Sequence, residues 1–184
     1  MITDRFLDEF KRTTETHWRH GPINRQIYGF QFQPGTRWNP GLDERSIVEY
    51  EGALEVRFPE GFKAFLGTMN GTDLPTLNVY GDSGEPNKQW VGAYAYPRDL
   101  QLVKDLISQV KQGRDRLQIT MEEQGFTIPI QCDFVPIYAH RYVLCTGNAS
   151  ESTVLSIYDS FDAIVYGATL AEYLEREFLT VPIN

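Results

Sequence analysis

Three histidines, two cysteines and several paired carboxylates are the side chains of this sequence whose types could do chemistry. His17 and His20 stand three residues apart in a stretch of helical periodicity and can share a face. No nearby Cys, Asp or third His completes a metal set, so surface or packing histidines are expected there. His140 and Cys145 suggest a thiol with its base, yet an offset of five along one strand points them to opposite faces. No third group orients that base, and His140 in the turn Tyr138-Ala139-His140-Arg141 is expected to be structural. Glu122 with Glu123, and Asp159 with Asp162, raise glycoside hydrolysis, which needs one carboxyl of raised pKa and a second at fixed separation. Such pairs in an acidic protein are usually solvated. Gly81-Asp82-Ser83-Gly84 lacks the Gly-Lys-Ser/Thr ending of a phosphate loop, and no Gly-x-Ser-x-Gly elbow occurs. No catalytic residue, metal or cofactor is therefore assigned, with a carboxylate-dependent hydrolase kept as the lesser alternative.

Charge narrows the partners. The 184 residues carry a formal charge of −8, and 41% hydrophobic with 23% charged residues is the balance of an ordinary folded chain. A chain of this size buries about 70% of its unfolded surface, so it needs neither disulfide nor metal, and Cys132 and Cys145 look incidental. Residues 1–45 hold seven basic against six acidic side chains, while residues 46–184 hold ten against nineteen. The body is the acidic part, at −9. It would repel nucleic acid and anionic lipid and attract a basic protein. Trp90, Tyr94 and Tyr96 share strand parity but have no interleaved Lys or Arg, so a packed sheet face is favoured over a base-stacking platform. Met1-Ile2-Thr3-Asp4-Arg5-Phe6 has no apolar leader core, and no apolar run is long enough to span a membrane. A cytoplasmic protein with reduced thiols is expected, in which the sequons at Asn70 and Asn148 carry no meaning.

The elements follow from periodicity and punctuation. Ile2, Phe6, Leu7 and Phe10 open an amphipathic helix through about Trp18, stopped by Gly21-Pro22. Residues 21–41 interleave Gly and Pro with Tyr28, Phe30, Phe32 and Trp38; a short strand is conceivable, but a loop packed by its aromatics is favoured. Asp43 is a candidate N-cap for a helix bearing Ile47, Tyr50, Glu51 and Leu54, and Pro59 opens another that ends at Asn70-Gly71. Leu77–Tyr80 and Trp90–Tyr96 read as strands around the turn 81–86. From Asp99 a long helix is expected to about Glu123 despite Gly113. Four short apolar runs then follow, at Phe134–Ile137, Tyr142–Leu144, Val154–Ile157 and Ile164–Val165, as in an antiparallel sheet. A last helix has a Thr169–Glu172 capping box and buries Leu170, Tyr173, Leu174 and Phe178. The fold class is α+β, a mainly antiparallel sheet packed with helices and closed by a C-terminal helix.

Two sets of motifs resemble the SUKH superfamily, which contains fungal cell-wall-synthesis regulators and bacterial toxin-immunity proteins. The first set is Ile47-Val48-Glu49-Tyr50-Glu51-Gly52-Ala53-Leu54, then Phe58-Pro59-Glu60-Gly61-Phe62-Lys63-Ala64-Phe65-Leu66, then Asn70-Gly71. The second is Phe134-Val135-Pro136-Ile137, His140-Arg141-Tyr142, Val154-Leu155-Ser156-Ile157 and Ile164-Val165-Tyr166-Gly167, leading to Tyr173-Leu174 and Glu177-Phe178. They span residues 43–179, after a helix and aromatic Pro/Gly loop at 1–42; the loop at 21–41 and the long helix at 99–123 are departures. The resemblance implies one domain over residues 1–184, with no catalytic centre or cofactor, that neutralises a toxin, often a nuclease, by docking on it. A regulatory scaffold for a cellular protein is the alternative. Turn and strand-edge residues Asp82, Glu85, Trp90, Glu151 and Asp159 are the candidate partner contacts.

Overall fold

The structure, a computed structural model, describes residues 2–26, 29–79, 92–147 and 152–179, with the backbone alone of residues 85 and 86. Helix α1 (Asp4–His20) starts where the Thr3 hydroxyl accepts from the Phe6 amide at 3.2 Å. It buries Leu7, Phe10, Thr14 and Trp18, and ends at Gly21 because Pro22 cannot extend it. Two short strands follow in the stretch expected to be a loop, β1 (Phe30–Phe32) and β2 (Trp38–Pro40). Gly29 and Gly35, both at positive φ, turn the chain on either side of β1. Distant strands complete the pairing, so tertiary context overrides the local Pro and Gly signal.

Asp43 caps α2 (Glu44–Leu54), accepting from the Ser46 amide at 2.8 Å. Helix α3 (Glu60–Thr68) follows Pro59 directly. Between them buried Glu51 accepts from the Phe58 amide at 2.7 Å and lies 3.7 Å from Lys63 Nζ, which fixes the α2–α3 corner. Strand β3 (Met69–Thr72) pairs with β2, while β4 (Thr76–Asn78) pairs with β1 and with β5 (Glu85–Pro86).

Asn70-Gly71 therefore lies inside a strand, and the expectation that it caps a helix is corrected: α3 ends on extended Met69. The pair has another role. The Asn70 side chain donates to the Tyr96 carbonyl at 2.6 Å and accepts from the Tyr96 amide at 2.8 Å, as a neighbouring strand would. Gly71, at φ +68°, lies so close to the 93–94 backbone that a Cβ would come within 2.7 Å of both carbonyl oxygens. The strand expected at 90–96 is reduced to one bridge, Ala93 to Tyr138, with Trp90 and Tyr80 outside the described residues.

The expected long helix is also two. Helices α4 (Leu100–Gln112) and α5 (Arg114–Glu122) break at Gly113, where a Cβ would stand 3.1 Å from Ser160 Cβ. The close approach of Ser160 and the poor helix propensity of glycine act together there.

Strands β6 (Asp133–Tyr138), β7 (Arg141–Cys145), β8 (Val154–Ile157) and β9 (Ala163–Gly167) form an antiparallel meander in that order. Val135, Ile137, Val143 and Val154 join one core with residues of α1, α2 and α3. Phe134, Tyr142, Leu144, Leu155 and Ile157 face a second core with Leu117 and Met121 of α5. Covering both faces explains why these strands read as unbroken apolar runs. Thr169 caps α6 (Leu170–Leu174), accepting from the Glu172 amide, and the Glu172 carboxylate accepts from the Ala168 amide at 2.9 Å. The last helix then widens into a π-helical turn, Glu175–Leu179. These elements make the fold α+β, with an antiparallel meander and a closing C-terminal helix. Among the described residues no helix is long and apolar enough to cross a membrane.

Candidate functional site

Of the eight large apolar side chains left exposed among the described residues, Ile119, Ile130, Tyr158, Phe161 and Ile164 belong to α5, the loop after it and the β8–β9 hairpin. These elements form one corner of the molecule. The hairpin turns at Tyr158-Asp159-Ser160-Phe161-Asp162, where Asp159 Oδ1 accepts from the amides of Phe161 at 2.7 Å and Asp162 at 2.9 Å. The turn is held to α5 by the Thr120 hydroxyl, which donates to the Ser160 carbonyl at 2.8 Å, and by the Gln124 amide group, which donates to the Ala163 carbonyl at 2.7 Å. A fixed turn thus holds Tyr158 and Phe161 outward, 74% and 69% exposed. The Arg116 guanidinium lies 4.6 Å from the Phe161 ring centre, a cation–π contact. On the loop after α5, Arg114 donates to the carbonyls of Pro129, Ile130 and Cys132, at 2.8, 2.9 and 2.8 Å, and this loop presents Ile130.

Between the α4–α5 break and the hairpin lies a cavity of about 250 Å³. Val110, Leu117, Tyr142 and Ile157 are its buried floor, and Gln109 and Asp159 are among its rim. A wider, more open groove of about 520 Å³ between the end of α2 and α4 carries Lys104 and Lys111.

Among the five candidate contacts, Asp159 stands at this corner, exposed on the hairpin turn. Asp82, Trp90 and Glu151 lie outside the described residues, as do Gly81, Ser83, Gly84 and the 148–150 sequon. Glu85 is described only as β5 backbone opposite Asn78, so the expected 81–86 turn contains a strand at its end. The corner's other members, Tyr158, Phe161 and Tyr142, were not singled out. A signal for them exists: two aromatic residues sit in a turn otherwise made of Asp and Ser, where no strand periodicity assigns them a core.

The remaining chemistry candidates separate in space. His17 and His20 are exposed at the end of α1, and among the described residues no group of three or more His, Cys, Asp or Glu is arranged to hold a metal. His140 sits in the β6–β7 turn, edge-on to Tyr158 at 5.9 Å; burial, then the Arg141 charge, lowers its pKa to about 4. Cys145 is inside the first core, and burial pushes its thiol pKa far up, which keeps it protonated. Cys132 belongs to the second core, on the other face. Glu122 and Glu123 are exposed at the end of α5, and of the four acids only Asp159 lines the cavity. Of the aromatic run, Tyr94 and Tyr96 pack inward without forming a sheet face: Tyr96 stacks on Tyr50 at 4.6 Å, and the Tyr94 hydroxyl donates to the Ala139 carbonyl at 2.8 Å, while Trp90 lies outside the described residues.

What the corner offers is a rigid surface with outward aromatics and acids. Among the described residues neither Asp159 nor Asp162 is in an ion pair, so both charges face solvent. Compared with protein-family models and with curated proteins, the chain has no match.

Proposed function

We propose that this chain is a SUKH-type immunity protein: a non-catalytic cytoplasmic module that docks on a basic toxin domain, such as a nuclease, and occludes it. The observation that carries this reading is the hairpin corner, where Tyr158 and Phe161 point outward beside Asp159 and Asp162 on an anchored turn. Aromatic anchors supply contact area with few rotatable bonds, and acids around them select a basic partner. The acidic surplus of residues 46–184 acts at longer range, speeding encounter with such a partner and holding off nucleic acid. The family reading rests on the ordered motifs at 43–179, whose apolar residues form the α2–α3 corner and the meander in this fold.

Co-expression with the toxin encoded beside this gene tests the proposal. Protection of the cells and a co-eluting complex on gel filtration are expected, with affinity that weakens as salt rises. Cells left unprotected, with no complex, would overturn it. A scaffold for a cellular protein is separated by the same experiment, because it confers no protection.

A further inference from the structure

We infer that the cavity between the α4–α5 break and the β8–β9 hairpin is a socket for one arginine side chain of a basic partner protein. The inference rests on the docking reading above and assigns it a particular contact. Size comes first. At about 250 Å³ the cavity falls below the roughly 300–1,000 Å³ of sites that enclose a drug-sized ligand, and suits a single long side chain. Its floor of Val110, Leu117 and Ile157 matches the three methylenes of an arginine stem, which bury while the charged head stays near water.

The polar groups match the head. Asp159 stands on the rim, and its carboxylate is fixed by two backbone amides that both reach Oδ1. Tyr142 lines the floor, is 4% exposed, and its hydroxyl has no hydrogen-bond partner among the described residues. A guanidinium brings a planar array of donors, which suits a cavity whose lining holds a carboxylate, a phenol hydroxyl and the Tyr158 ring. A lysine ammonium satisfies the charge but neither the stacking nor the fork. Among the described residues no cation pairs with Asp159: the nearby Arg116 is held over Phe161 instead. The acidic surplus of the chain makes a cation the favoured occupant over a neutral side chain.

The test uses the whole chain, isotope-labelled, titrated with N-acetylargininamide, N-acetyllysinamide and the neutral isostere N-acetylcitrullinamide, and followed by amide chemical shifts. Saturable shifts at Gly113 and Tyr158–Ser160 are expected with the arginine compound, weaker with lysine and none with citrulline. Asp159→Asn keeps the side-chain oxygen that holds the turn and removes the charge; it should weaken arginine binding about tenfold. Tyr142→Phe keeps the floor and should weaken it about threefold. No saturable shift at these amides, or equal binding of arginine and citrulline compounds, overturns the socket. A toxin complex that forms equally well with Asp159→Asn also overturns it and leaves the immunity reading standing. Arginine capture without any toxin complex supports the socket and removes that reading.

Discussion

Phe161 and Phe178 lie in the same C-terminal stretch and meet opposite environments. Phe178, in the π-helical turn, has ring centres of Phe10, Phe32, Trp38 and Tyr138 within 5.7 Å. Phe161, in the hairpin turn, has solvent and the Arg116 guanidinium. Phe32 and Trp38 of the aromatic stretch are therefore drawn into the interior, while Phe30 stays exposed: Trp18 stacks on Phe32 at 4.4 Å, and the Trp38 indole donates to the Thr14 hydroxyl at 2.8 Å. Aromatic richness in a sequence does not mark a binding surface. Position relative to the closing helix decides which rings seal the core and which remain available to a partner.

The contrast can be broken most severely at Phe178. Phe178→Ala should cost about 3–5 kcal/mol, read from urea unfolding, because it empties the point where α1, β1, β2 and β6 meet. A loss under about 1 kcal/mol would show that these rings repack without it. Next comes Asn70→Ala, expected to cost about 2–3 kcal/mol by leaving the Tyr96 amide and carbonyl without their partner. Asn70→Asp should recover little, since a carboxylate cannot donate to that carbonyl.

A smaller effect is expected from pH at His140, on the rim side of the contrast. Its pKa falls from 6.5 to about 4, chiefly through burial and then Arg141, with Asp162 opposing. The unfolded chain therefore takes up a proton across that window that the native state refuses, and stability declines as pH drops from about 6.5 to about 4. With solvent screening of this part-exposed ring, the decline between about pH 7 and about pH 5.5 should be about 1 kcal/mol. His140→Gln should flatten the difference between the two unfolding midpoints; an unchanged slope would assign it to other groups.

The least stability effect belongs to Phe161. Phe161→Ala should change unfolding free energy by about 0.5 kcal/mol or less while lowering affinity for the partner proposed to dock at this corner. Should it destabilise by more than about 2 kcal/mol, Phe161 belongs to the core and the contrast disappears.

Much of the fold was legible because it is local. The Thr169–Glu172 and Asp43 caps act within three residues, so residue type and spacing identify them. The four meander strands announced themselves by short apolar runs. What escaped depends on distant chain. Gly113 looks tolerable in a helix until Ser160 approaches it, and Asn70-Gly71 looks like a helix stop until residues 93–96 lie against it. Glu51 is similar: an acid buried in α2 makes sense once the Phe58 amide, just ahead of Pro59, is seen to need an acceptor. At the candidate site Asp159 was found as a turn residue, whereas Tyr142 was not, since its lack of a hydrogen-bond partner is a property of its surroundings.

By itself the amino-acid sequence determined the first and last helices, the four meander strands, the Asp43 and Thr169 caps, the α+β class and an acidic body, because propensity, capping and charge are set by residues within a turn or strand of one another. Tertiary structure alone decided that one phenylalanine seals the core and another faces out, and that a 250 Å³ cavity opens beside an anchored acid. Those outcomes need segments some forty residues apart, such as Thr120 and Ser160, to be brought within hydrogen-bond distance. No local rule encodes that meeting; packing of the whole sheet against its helices does.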